Sequence, residues 1–199
     1  MTGGEIRLLD AAALRRVYRE HVKADFPPAE RKPLAMIERQ VRTGQYDTLG
    51  LFQGEELLAY AFLWRDKEGH CALLDYLAVC RGGRGQGTGS AFLEQLKTHY
   101  GSFDGLLVEA EAEDTQAGEE DNALRRRRID FYRRCGFRML DYRVRLFGVT
   151  YSMLASGTLT AADALAAHRR HYRLDGPGFN PLRAMAGIPL IERPAPDAE

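Results

Sequence analysis

Arg84-Gly85-Gln86-Gly87-Thr88-Gly89-Ser90 follows the apolar run Ala72-Leu73-Leu74-Asp75-Tyr76-Leu77-Ala78-Val79 and leads into Ser90-Ala91-Phe92-Leu93-Glu94-Gln95-Leu96-Lys97. The order reads as a strand, a glycine-rich turn and a helix. A helix opened in this way leaves its first backbone N–H groups without intrahelical acceptors, and its dipole adds partial positive charge there. Glycine lets the chain approach a ligand where a Cβ would collide. The segment therefore predicts a turn that binds a diphosphate.

Spacing narrows the diphosphate. A P-loop needs G-x-x-x-x-G-K-[ST], and no Lys follows a glycine here. A dinucleotide fingerprint, G-x-G-x-x-G, started at Gly83, Gly85 or Gly87 meets Thr88, Ser90 or Phe92 in its last position. Glu109 and Glu111 lie roughly 20 residues on, where a ribose-binding acid would sit, but the glycines of that fingerprint are missing. The pattern that fits is R-x-x-G-x-G, at Arg84 to Gly89. A second segment, Phe131-Tyr132-Arg133-Arg134-Cys135-Gly136-Phe137, has the form FYxxxGF, with Asn122 and Ala123 upstream. A strand-like run, Gly105 to Glu111, separates the two motifs. In that order and spacing they resemble the acetyl-CoA loop and the later motif helix of the GNAT superfamily of N-acetyltransferases.

The pattern along the chain reads β-α-α-β-β-β-α-β-α-β-β. A strand at Glu5 to Leu9 precedes a helix capped by Asp10 and running through Ala24. Phe26-Pro27-Pro28 breaks it, and a second helix spans roughly Ala29 to Thr43 before Gly44. Strands follow at Tyr46–Phe52, Leu57–Trp64 and Cys71–Cys80, with Gln53-Gly54-Glu55-Glu56 as a hairpin turn. Ala112 to Asp121 reads as a mobile acidic loop, and strands recur near Met139–Leu146 and Val149–Leu154. The expected fold is α+β in three α/β layers: a mixed central sheet of about seven strands with helices on both faces. The resemblance covers approximately residues 5–155, within an expected acetyltransferase domain of residues 1–155. A helix from Thr160 to Arg173 and a tail from Pro177 to Glu199 form an expected C-terminal extension, 156–199, packed on that domain.

With 199 residues, 28 Lys plus Arg and 28 Asp plus Glu, the chain carries no net charge. Nothing global calls for nucleic acid or an anionic membrane surface. The N-terminus lacks an apolar leader and no apolar run approaches membrane-spanning length. Cys71, Cys80 and Cys135 form neither a CxxC pair nor an even framework, so a reducing, cytoplasmic setting is expected. His168 and His171 are i, i+3 with no acid in register, and no metal site is expected.

The resemblance implies acetyl-CoA as co-substrate, held by Arg84, Gly85, Gln86, Gly87, Thr88, Gly89 and Ser90 at its pyrophosphate. The backbone of Leu77, Ala78 and Val79 would run alongside its pantetheine arm. Arg84 would either add charge to the phosphates or remain a solvated loop residue. Tyr132 matches the tyrosine that protonates the departing thiolate, and a phenol is a sensible acid for that task. An alkylammonium must lose a proton before attacking. Asp75, Glu109 or an ordered water would take it, and Glu109 and Glu111, which share a strand face, could each be base or substrate anchor. Arg128 falls mid-arc on a helical wheel with Leu124, Phe131 and Cys135, flanked by Arg125 and Tyr132. It should pair with Glu109 or Glu111, or bind an anionic substrate group. Phe26, Glu30 and Lys32 lie where this fold shapes its acceptor site, and Tyr46 and Tyr60 could line the same cleft. The leading reading is transfer of an acetyl group to a small-molecule primary amine by direct attack in a ternary complex, with a homodimer left open. A peptide or protein acetyltransferase and a non-catalytic acyl-CoA-binding module are the alternatives.

Overall fold

The protein is described from a computed structural model covering residues 4–146, 148–173 and 190–192. Its contacts divide the chain into two compact units, Met1–Lys67 with Leu74–His99, and Glu68–Leu73 with Tyr100–Glu199.

The first unit carries strands in the order β1-β2-β3-β4: β1 (Glu5–Leu8), β2 (Tyr46–Gln53), β3 (Glu56–Arg65) and, from Leu74 on, β4 (Cys71–Val79). β1 and β3 both pair antiparallel to β2. Gly54, at φ 59°, turns the β2–β3 hairpin beside the Gln53–Glu56 pair. Its helices are α1 (Ala11–Val17), α2 (Lys23–Asp25), α3 (Leu34–Arg42) and α4 (Thr88–His99). Asp10 caps α1 as expected, its Oδ1 accepting from Ala13 N at 2.7 Å.

Two helical expectations need correction here. The single helix through Ala24 is interrupted by a π-helical turn, Tyr18–Val22, between α1 and α2. Val17, Tyr18 and Val22 are all buried, and the wider turn accommodates that run of inward residues. The second helix starts at Leu34 rather than Ala29, after a 3-10 turn at Pro28–Glu30. Pro33 sits at its N-cap, where a missing N–H costs nothing. Gly44 follows α3 at φ 70°. The core is built from fully buried Ile37, Leu49, Tyr60, Phe62, Phe92 and Leu96.

The second unit carries β5 (Gly105–Glu111), β6 (Arg138–Leu146), β7 (Val149–Ala155) and β8 (Leu190–Glu192), in the order β5-β7-β6-β8. All three of these pairings are antiparallel. Leu140, Tyr142, Val144 and Leu146 are buried while Arg143 and Arg145 are exposed, the period of two that a half-covered strand requires. At Gly105 a Cβ would lie 2.0 Å from Ser156 O, so only glycine fits. Two helices complete it, α5 (Glu119–Arg134) and α6 (Ala161–Arg173). The loop before α5 is tied down: Asn122 bonds Asp114 in both directions, at 3.0 and 2.9 Å. The described residues hold eight strands against about seven expected, because residues 190–192 add β8. Apart from β8, the tail from Pro177 lies outside the described residues. No helix among the described residues is long and apolar enough to cross a membrane.

Candidate functional site

In the first unit β4 ends at Val79, a 3-10 turn spans Arg81–Gly83, and α4 opens at Thr88. Gly85 and Gly87 adopt φ 80° and 78°, and a Cβ at either would meet nothing within 4 Å. Glycine is required there by the left-handed backbone, and the space in front of the turn is open. Thr88 is buried, and the helical ladder starts with Ala91 N donating to Gly87 O at 3.0 Å. The preceding N–H groups of the turn are thus the ones a twelve-residue helix offers to an anion.

Arg84 is tied within the turn, and its side chain stays 57% exposed. Its Nε donates to Val79 O at 3.1 Å and its Nη2 to Asp25 Oδ1 at 2.7 Å. The guanidinium is folded back on the turn, and Val79, expected as a pantetheine partner, already accepts from it. Gln86 Nε2 donates to Gly82 O at 3.3 Å, bracing the turn from within. Leu77, Ala78 and Val79 are half-buried at the end of β4. Cys80 lies 3.8 Å from His21 Nδ1, and burial, with Asp25 second, pushes its thiol up to about 11.

Phe26, Glu30 and Asp75 are brought together through two residues that link them, Lys32 and Tyr76. The Asp75 carboxylate holds Lys32 Nζ at 2.6 Å and accepts a short hydrogen bond from Tyr46 OH. Lys32 Nζ also stands 5.6 Å from the Tyr46 ring centroid. The loop carrying Lys32 is pinned three times: Tyr18 OH donates to Lys32 O at 2.8 Å, Lys32 N donates to Tyr76 OH at 2.7 Å, and Tyr76 OH donates to Glu30 O at 3.0 Å. Burial raises the Tyr76 phenol well above its ordinary range, which keeps it a donor. Phe26 packs edge-on against Tyr76 at 4.9 Å. Glu30 contributes its backbone carbonyl and is otherwise exposed. Lys32 was legible as a loop residue, but its pairing with Asp75 spans 43 positions of sequence with no local signal.

In the second unit Glu109 on β5 is held by α6. His168 Nε2 lies 2.5 Å from Glu109 Oε1, and Tyr172 OH donates to the same oxygen at 2.7 Å. The His168 side chain is fully buried. Spacing alone showed no acid in register with His168, and the strand supplies one across the fold. Glu111 pairs chiefly with Arg125, whose Nε is 3.3 Å away and whose Nη1 donates to Ala112 O at 3.0 Å. Arg128 is 3.8 Å from Glu111, with its side chain 59% exposed. Leu124 is 53% exposed, so the inner arc of α5 is rotated from the expected one. Asn122, Arg125, Ile129 and Tyr132 are its partly covered residues at helical spacing. Arg125 faces inward because Glu111 and a strand-end carbonyl satisfy its donors.

Tyr132 packs edge-on between Phe131 at 5.3 Å and Phe137 at 5.5 Å. Burial pushes its phenol up to about 12, against the opposing charge of Arg128. The motif around it is a helix stop. Gly136 sits at φ 80°, its N–H donates to Arg133 O at 3.0 Å, and Phe137 N donates to Tyr132 O at 3.1 Å. This is a Schellman ending, which explains glycine and a following apolar residue in FYxxxGF.

The model of the acetyltransferase (GNAT) family matches residues 14–137, and the chain belongs to that family. It is an acyltransferase by that membership. A GNAT-family protein from Bacteroides thetaiotaomicron shares the fold at TM-score 0.67 and 20% identity, over 87% of this chain and 99% of that one. The ribosomal-protein-S18-alanine N-acetyltransferase of Escherichia coli superposes at TM-score 0.58 and 20% identity, over 79% and 96%. Spermidine N-acetyltransferase from Vibrio cholerae, solved with CoA and spermine, does so at 0.61 and 9%, over 83% and 99%. At these identities the likeness concerns the fold. No curated protein matches the sequence.

Proposed function

We propose that the chain transfers an acetyl group from acetyl-CoA to a primary amine of a small molecule. The observation that carries the small-molecule reading is the triply pinned loop from Phe26 to Lys32, which gives the acceptor side fixed walls. A peptide acceptor would be better served by an open groove. The turn from Arg84 to Ser90 fits the pyrophosphate, since its two left-handed glycines face open space at the head of α4. Leu77, Ala78 and Val79 offer strand backbone for the pantetheine arm. Acetyl-CoA, when bound, supplies the activated thioester. The amine attacks it directly. Tyr132, protonated throughout the neutral range, donates a proton to the leaving thiolate. Glu109, Asp75 or a water receives the proton of the acceptor ammonium. Residues 1–155 form the catalytic domain and 156–199 an extension, and the three free thiols fit a cytoplasmic setting.

The test is acetyl-CoA turnover, followed by thiol release, over amino acids, polyamines, aminoglycosides and peptides. A small amine should exceed every peptide, and preference for a peptide would overturn the acceptor class. Tyr132→Phe should lower turnover about a hundredfold with cofactor affinity nearly intact.

A further inference from the structure

Asp25 is a largely covered carboxylate of the first unit. It closes α2 with its side chain only 11% exposed, and both oxygens are engaged by residues distant in sequence. Tyr60 OH, from the fully buried Tyr60 of β3, donates to Oδ2 at 3.0 Å. Arg84 Nη2 donates to Oδ1 at 2.7 Å. Burial and then Asp25 itself raise the Tyr60 phenol far above its ordinary value, so it stays a hydrogen-bond donor to the carboxylate. One carboxylate thus joins the helical segment, the sheet and the glycine turn.

The other end of Arg84 shows what this does. Its Nε is on Val79 O at 3.1 Å, the last carbonyl of β4. A guanidinium is rigid and planar, so fixing Nη2 on Asp25 fixes the direction of Nε as well. Arg84 therefore clamps the first residue of the glycine turn to the end of the strand before it. Gly85 and Gly87 have no crowding of their own that would hold their left-handed conformations, since nothing lies within 4 Å of their Cβ positions. The turn takes its shape from its anchors.

We propose that Asp25 is a positioning residue for the pyrophosphate turn, acting through Arg84. This rests on the assignment of that turn to acetyl-CoA under Proposed function. Asp25 touches neither substrate. It holds the Arg84 clamp so that the N–H groups ahead of α4 are already arranged when the diphosphate arrives, which lowers the ordering cost of binding. The same residue ends the helical segment that leads into Phe26–Lys32, so the acceptor loop and the cofactor turn share one anchor.

A ligand pair separates this role from general structural support: CoA, which carries the pyrophosphate, and acetyl-pantetheine, which lacks it. Asp25→Asn keeps the size and the hydrogen bond from Tyr60 but loses the charge facing Arg84. It should raise the Kd for CoA about tenfold, measured by calorimetry, and leave kcat/KM for acetyl-pantetheine within twofold of wild type. Arg84→Met should also raise the Kd for CoA, and the double variant should be no worse than Arg84→Met alone. Asp25→Glu should recover part of the loss, and Tyr60→Phe, which spares Arg84, gives a smaller loss should Asp25→Asn fold poorly. Unchanged CoA affinity, equal losses for both ligands, or additive single effects would overturn the proposal. If the wild-type protein binds no CoA, the cofactor reading itself falls and this proposal falls with it.

Discussion

Asp75 and Glu109 look alike in the sequence and are treated differently by the fold. Each is a carboxylate on an apolar strand, and each accepts from a tyrosine, Tyr46 or Tyr172. Their other named partners differ. Asp75 holds a lysine ammonium, Lys32, at 2.6 Å, and Glu109 holds an imidazole, His168, at 2.5 Å. A fixed positive charge is a lasting partner for a carboxylate, and it ties Asp75 to the loop that carries Lys32. An imidazole can itself exchange a proton. Asp75 is therefore an anchor for the Lys32 loop, and Glu109 is the one of the two placed beside a group that exchanges protons. Residue type and strand position rank the two equally, and partner chemistry separates them.

The largest effect should appear in activity. Glu109→Gln should lower kcat about a hundredfold, whereas Asp75→Asn should act mainly on the acceptor KM. Steady-state kinetics on the two variants break the comparison if the order is reversed. Stability comes next. Lys32→Met leaves Asp75 partly buried without its cation and should cost about 3 kcal/mol in urea unfolding. His168→Phe removes one donor from Glu109 while Tyr172 remains, and should cost about 1–2 kcal/mol, less for His168→Gln. A cost for His168→Phe above that of Lys32→Met would mean that the imidazole, and not the ammonium, is the tighter partner.

The smallest effect concerns a neutral group beside the first region. Cys80 has a folded pKa of about 11 against an ordinary value of 9.0, so the fold favours its thiol form. That contribution is fully present below pH 9 and is lost as pH rises through about 11. Iodoacetamide should label Cys80 slowly at pH 8, with an inflection near 11. An inflection below 9 would mean the thiol is not held by burial.

Much of the fold was legible locally. The Asp10 cap, the Gly44 stop, the hairpin at Gly54 and the left-handed glycines of the turn before α4 each follow from the chemistry of one or two residues. FYxxxGF was legible as a motif and proves to be a helix ending whose glycine and phenylalanine close two hydrogen bonds. What misled was the helical wheel of α5. Leu124 drew the apolar arc toward itself, and the fold turned Arg125 inward because Glu111 and Ala112 O supply its partners. The π-helical turn at Tyr18–Val22 was equally invisible, since it answers to packing rather than to propensity.

The sequence by itself determined the family, the strand–turn–helix around the glycine turn, and the position of Tyr132 at the end of α5. Those features depend on residues a few positions apart, where spacing and backbone preference decide the outcome. Only the tertiary structure decided what each carboxylate faces: Lys32 for Asp75, His168 and Tyr172 for Glu109, and Arg84 with Tyr60 for Asp25. Those hydrogen-bonded partners lie between 35 and 63 positions apart along the chain. A charge is neutralised by whatever the fold places beside it, and nothing in the local sequence encodes that neighbour.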